Sequence, residues 1–182
     1  SAWVDDPSTR EFNNIVKDGG KSSAYGAEMN FKYSVLKGLQ IFGNYAFIHS
    51  RFAGKDINGS EQAFAGNRFR LTPDHSFAFG LNAKYYITEK TEIFVDPSFS
   101  YRTKIYFEDA NTVGQEQDGY GILFFRGGIE LTKIKLTLSL WGDNLLNQKY
   151  IISAGNAGSL FGDPTQIPGA PRMFGTRLYW RF

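Results

Sequence analysis

Apolar and polar residues alternate with a period of two along most of this chain, which limits what it can fold into. From Lys21 to Val35 the odd positions are mainly apolar or aromatic, and the even positions are mostly polar. Such alternation is typical of strands with one apolar and one polar face. The same pattern returns at 75–87, 92–102, 123–131, 135–140 and 174–182. We predict an all-β protein of about eight strands, counting weaker segments near 9–17 and 38–51.

The lengths of the predicted strands and connections narrow the class. The strands run to ~10–15 residues, whereas strands of globular proteins peak near ~5–6 and a tilted strand crosses a bilayer with ~9–11. Short and long connections alternate along the chain. Asp18-Gly19-Gly20 is a short connection at the end where the other connections are long. This predicts antiparallel transmembrane β-barrel strands with tight periplasmic turns and long external loops. A soluble sandwich or lipocalin-like barrel also alternates, and it stays open as a competitor. The short turns are at 37–38, 89–90 and 132–133, and the long loops at 51–74, 109–119 and 151–171.

Composition excludes several functions. Without Cys, the chain has no disulfide framework, thiol nucleophile or thiolate metal site. The net charge of +2 is scattered and forms no basic stripe, so nucleic acid is not expected as a partner. His49 and His75 are the only imidazoles, and no nucleophile or phosphate-binding motif is found, so we predict no enzyme, no metal site and no cofactor.

Four motifs in order carry a resemblance to TonB-dependent outer-membrane receptors. Asn144, Leu145, Asn147 and Tyr150 match the N-L-x-(N/D)-x-x-Y signature of that family. The closing run resembles the family's G-x-P-R-x-(aromatic)-G step into a last strand that ends on Phe182. Pro73 with His75, and Gly26 with Glu28, are similar to two earlier strand motifs of the family. In the closing run the matching residues are Gly169, Pro171, Arg172, Phe174 and Gly175.

The resemblance implies a place in a larger molecule. Receptors of this kind have barrels of about 22 strands around a plugged lumen. Residues 1–182 are therefore expected to be the C-terminal part of the barrel, without the plug and the segment that contacts TonB. The chain alone would then expose two unpaired strand edges and is not expected to form a stable monomeric barrel. Leu178, Trp180 and Phe182 resemble the signal that the barrel assembly machinery reads.

The resemblance also implies a function, the import of a scarce nutrient across the outer membrane of a Gram-negative bacterium, most often an iron chelate such as a ferric siderophore. Vitamin B12, haem or a saccharide remain open as cargo. For cargo contacts we expect external-loop residues Phe64, Arg68, Phe69 and Arg70, unless these serve only loop packing and solubility. Asn144 is interpreted as architectural, bonding neighbouring backbone. The alternative is a self-contained eight-stranded membrane barrel with an adhesive or structural role.

Overall fold

The protein was analysed as a computed structural model that describes residues 2–6, 11–15, 20–155 and 165–182, with side chains in the last two ranges. Its strands are β1 (Ala2–Asp6), β2 (Glu11–Ile15), β3 (Ser22–Leu36), β4 (Leu39–Phe52), β5 (His75–Thr88), β6 (Thr91–Val95), β7 (Ser98–Arg102), β8 (Ile105–Tyr106), β9 (Glu116–Gln117), β10 (Tyr120–Leu131), β11 (Leu136–Asp143), β12 (Ile151–Gly155), β13 (Thr165–Pro168) and β14 (Met173–Trp180). The predicted all-β, antiparallel class is confirmed. Nowhere in these ranges does a helix have the length and apolar character needed to cross a bilayer.

One large antiparallel meander dominates the fold. Its strands follow in the order β14, β11, β10, β6, β5, β4 and β3, and β7 continues the row of β6 between β5 and β10. The order follows the chain because each strand pairs with its sequence neighbour through a connection on alternating sides. Within the described residues the sheet does not close on itself, and β3 and β14 are its two edges.

The segment predicted as one strand over 92–102 is divided at Asp96 and Pro97 into β6 and β7. Pro97 has no N–H to give to the ladder, although its carbonyl accepts a bond from the Leu81 N–H at 3.1 Å. The pairing register with β5 is the same on both sides of the break, from Ala83 opposite Val95 to Gly80 opposite Ser98. The proline therefore removes one donor without shifting any side chain to the other face.

Three smaller hairpins lie outside the meander. β1 pairs with β2, β8 with β9, and β12 with β13. The weak strand predicted near 9–17 corresponds to β2, whereas β1 was not predicted. β9 lies in the predicted loop 109–119, and its partner β8 lies just before that loop. The predicted loop 151–171 contains β12 and β13, and part of it lies outside the described residues. The predicted turn at Asp18 and Gly19 also lies outside them.

The register places the alternating residues on two unlike faces. One face is apolar and exposed. On this face Met29 pairs with Tyr45 and Tyr45 with Phe77 across β3, β4 and β5, and the same pairing register continues to β14. An apolar surface of this extent marks a membrane or a large partner. Its exposed members include Phe31, Tyr33, Val35, Phe79, Tyr85, Ile93, Phe125, Ile129, Leu138, Leu140, Phe174 and Leu178.

The opposite face is polar and holds paired charges. Lys84 Nζ lies 2.6 Å from the buried carboxylate of Glu92 on the next strand. Asp96 accepts bonds from Arg126 Nε at 3.0 Å and Asn82 Nδ2 at 3.0 Å. Such side chains would be costly against lipid but are stable beside water or protein, so this face is the interior side of the sheet.

Candidate functional site

The long connections lie at one end of the meander and are bonded to one another. We call this the long-loop end, with residues 53–74, 103–119, and 144–155 together with 165–172 as the third loop. We call the opposite end, with residues 37–38, 89–90 and 132–135, the short-turn end. Asn111 joins the first two loops, since its Oδ1 accepts the Arg68 N–H at 2.8 Å and its Nδ2 donates to the Arg68 carbonyl at 2.9 Å. Gln117 Oε1 accepts the Ile151 N–H at 2.7 Å and joins the second loop to the third. These bonds make the long-loop end one connected layer.

A small apolar core lies within that layer. Ile105, Phe107 and Ala154 are buried, and Ile151 packs against them. Nearby, the hydrogen bond to Glu116 raises the pKa of Lys104 above its ordinary value, with the two charged groups 2.7 Å apart. The loops therefore hold a fixed shape through both packing and polar contacts.

Three of the four predicted cargo contacts have side chains that contact the first loop or the end of β4. Arg68 Nη2 is 2.6 Å from Asp74 Oδ1, and its side chain is only 14% exposed. The rings of Phe64 and Phe69 lie 5.7 and 4.9 Å from the ring of Phe52. Arg70 is exposed, and the hydrogen bonds found for it in the described residues are made by its main chain. Its N–H donates to Asp109 Oδ1 at 3.0 Å, and its carbonyl accepts from Thr72 Oγ1 at 3.1 Å. Arg68 and Phe69 are thus partly buried by these contacts, whereas Phe64, which is 37% exposed, and Arg70 are accessible.

A cavity of about 490 Å³ opens on the polar face at the long-loop end. Its walls include Asn44, Ser76, Ser100, Arg102, Tyr120 and Tyr150. The Arg102 guanidinium lies 5.5 Å from the centre of the Tyr120 ring, and that ring stacks on Tyr150 with centroids 4.4 Å apart. No carboxylate in the described part of the chain pairs with Arg102. The cavity therefore offers a cation with a hydrogen-bonding fork beside two stacked phenols.

Sequence reasoning did not find Arg102 and Tyr120, and named Tyr150 only as part of a motif. The three residues are separated by 18 and 30 positions, so only the pairing of β7 with β10 and the return of the third loop bring them together. The available signal was weak: Arg102 is a cation on the polar face of a strand next to a long loop.

Asn144 fixes the path of the third loop. It is 1% exposed and has a φ of 49°. Its Nδ2 donates to the carbonyls of Gln148 at 2.9 Å and Ala170 at 3.0 Å, and its Oδ1 accepts the Gln148 N–H at 2.8 Å. Every side-chain bond of Asn144 goes to main chain, which agrees with an architectural role. The side chain ties the beginning of the loop to its end at Ala170.

The other motif residues lie along the same path. The Leu145 N–H donates to the Leu123 carbonyl at 2.9 Å, and the Asn147 N–H donates to the Asn144 carbonyl at 2.7 Å. The Gly169 N–H donates to the Tyr150 carbonyl at 2.8 Å. Of the rest, Pro171 is exposed, Arg172 lies 5.9 Å over the Phe174 ring, and Phe174, Leu178, Trp180 and Phe182 are exposed apolar residues in or after β14.

Long antiparallel strands, an exposed apolar face, a charged interior face and a loop-rich end together define the class, a wall segment of transmembrane β-barrel type. The family model described as TonB dependent receptor-like, beta-barrel, matches residues 2–145. The chain belongs to this family.

Solved structures of similar fold are receptors of the same kind. The ferric yersiniabactin uptake receptor FyuA from Yersinia pestis is 21% identical with a TM-score of 0.75, covering 87% of this chain and 23% of that one. The ferric citrate transporter FecA is 19% identical with a TM-score of 0.66, covering 92% and 27%. The ferric-catecholate import receptor Fiu from E. coli K12 is 21% identical with a TM-score of 0.60, covering 97% and 23%. The chain thus spans about a quarter of the length of these structures.

Proposed function

We propose that this chain is the C-terminal part of the barrel of a TonB-dependent receptor in the outer membrane of a Gram-negative bacterium, and that the receptor imports a ferric siderophore or another iron complex. In this proposal, residues outside this segment form the plug and contact TonB, which delivers energy from the inner membrane. The barrel assembly machinery would read Leu178, Trp180 and Phe182 during insertion. Transport, not catalysis, is the activity.

The cavity at the long-loop end is the observation that carries the proposal. Cargo arriving from outside would meet this end first, and the free guanidinium of Arg102 stands there beside the stacked rings of Tyr120 and Tyr150. Iron chelates of the catecholate and carboxylate types are anionic, and a guanidinium binds such oxygens with charge-assisted bonds. Three relatives of the same fold are named for ferric cargo, which supports the class of ligand.

Deleting the gene for the intact receptor in its source organism tests the function. We expect uptake of radioactive iron from one ferric chelate to be lost, to return on complementation, and to require TonB. The panel would hold ferric citrate and a ferric catecholate, with vitamin B12, haem and a maltodextrin as the other cargo classes. If only one of the last three depends on the gene, the iron proposal is wrong.

The Arg102→Gln variant tests the cavity. Removing this cation should weaken binding of the transported chelate by about tenfold, because one charge-assisted contact is lost. Lys149→Gln is the matched control, since Lys149 is exposed on the same end and its side chain forms no ion pair in the described residues. Both variants would be compared for binding to the folded receptor in detergent, and equal affinities would remove Arg102 from the binding site.

A further inference from the structure

The two ends of the sheet differ in charge. At and beside the short turns stand five basic residues and two acidic residues, Glu89 and Glu130. At the other end, residues 53–74, 103–119, 144–155 and 165–172 have six basic and seven acidic residues. The basic residues of the short-turn end are Lys37, Lys90, Lys133, Lys135 and Arg181. The net positive charge of the short-turn end attracts anions.

The four lysines of the turns are exposed and uncommitted. Arg181 lies 3.4 Å from Glu130, but no ammonium group of Lys37, Lys90, Lys133 or Lys135 forms an ion pair among the described residues. The turns themselves are fixed by main-chain bonds, because the Gly38 carbonyl accepts the Lys84 N–H at 2.7 Å and the Lys90 carbonyl accepts the Thr132 N–H at 3.0 Å. The ammonium groups are therefore free on a rigid rim.

These lysines form a row instead of a cluster. Successive short turns are separated by two strands, so neighbouring turns stand ~10 Å apart along the edge of the sheet. A row of this kind matches a planar layer of anions better than a single compact ligand.

A belt of aromatic residues lies between the apolar face and the row of lysines. Tyr33, Tyr85 and Trp180 are 63%, 72% and 62% exposed on the apolar face, a few residues before the turns or the chain end. Tyr and Trp at such positions mark the headgroup level of a bilayer. The lysines lie just beyond the belt, where the phosphate groups of the lipids stand, and their long side chains can reach those groups.

We propose that Lys37, Lys90, Lys133 and Lys135 bind the phosphate groups of anionic phospholipids in the leaflet at the short-turn end, with phosphatidylglycerol as the representative lipid. The inference rests on the membrane placement in the proposed function and is independent of the cargo. It gives the short-turn end a lipid preference that the long-loop end, with nearly balanced charges, lacks.

The test uses the full-length receptor in vesicles of phosphatidylcholine with about one third phosphatidylglycerol, and native mass spectrometry of the lipids retained after extraction. We expect the wild type to retain phosphatidylglycerol selectively. Lys90→Gln with Lys133→Gln should lower that preference on the order of fivefold at low salt. Lys90→Arg with Lys133→Arg should keep it.

The matched control is Lys55→Gln with Lys149→Gln, which removes the same charge from the long-loop end and should leave the preference unchanged. An unchanged preference in the Lys90 and Lys133 double variant overturns the inference, and so does an equal loss in the control. If the receptor shows no lipid preference and its row of lysines binds an acidic protein, the inference is overturned as well. Iron uptake is measured separately on the same variants, and it should remain normal, so a failure of the cargo proposal does not affect the lipid result.

Discussion

Asn144→Ala is expected to lower the free energy of unfolding by about 4 kcal/mol, because it removes three partly buried hydrogen bonds to main-chain groups. The orphaned groups are the N–H and carbonyl of Gln148 and the carbonyl of Ala170. Water cannot replace the lost side chain freely, since Asn144 is 1% exposed. Alanine also fits poorly at a φ of 49°, which adds a smaller cost. Urea unfolding of the full-length receptor in detergent micelles measures the change.

Asn147 provides a matched control for Asn144. It belongs to the same motif and has a similar φ of 52°, but it is exposed and no side-chain bond to main chain is found for it in the described residues. Asn147→Ala should therefore cost only about 1 kcal/mol, the penalty of the left-handed backbone. Asn144→Gly removes that penalty at position 144 and should still lose most of the stability. If Asn144→Gly is as stable as the wild type, backbone conformation and not hydrogen bonding explains the motif.

The strands of the meander could be predicted from the sequence because the alternation of apolar and polar residues shows both where a strand runs and which of its residues lie on each face. The 75–87 pattern corresponds to β5 at His75–Thr88, and the 21–35 pattern to β3 at Ser22–Leu36. The turns were predictable for the same reason, since each lies where the alternation of one strand stops. The family motifs predicted the family, which the match to residues 2–145 confirms, and the place of the segment in the barrel, which stays a prediction.

The loops and the cavity could not be predicted in this way. β8 with β9 is a pair of two-residue strands, too short for alternation to be recognised. The bond from Asn111 to Arg68 joins residues 43 positions apart, and no local pattern encodes it. The prediction of Arg68 as a cargo contact counted a loop cation as available, whereas Asp74 pairs with it within the same loop.

Gly128→Ala is the second change expected to have a large effect, on the order of 3 kcal/mol. A Cβ on Gly128 would lie 2.3 Å from the Leu138 carbonyl oxygen and 2.8 Å from the Ser139 Cα, both in the backbone of β11. Backbone cannot rotate away as a side chain can, so β10 and β11 must separate locally. Because β11 also pairs with β14, the separation should be detected as faster amide exchange over residues 136–143 as well as earlier urea unfolding.

Gly127 is the neighbouring control for this prediction. Its Cβ would point to the other face and meet the ring of Phe125 at 3.0 Å, with the nearest backbone atom, the Phe94 carbonyl oxygen, at 3.4 Å. The ring can shift by a few tenths of an ångström, so Gly127→Ala should cost less than about 1 kcal/mol. The two glycines share the same strand and the same loss of backbone entropy, and they differ only in what their Cβ would contact. Equal destabilisation by both substitutions would mean that glycine flexibility, and not the close approach of β10 to β11, is what the strand requires.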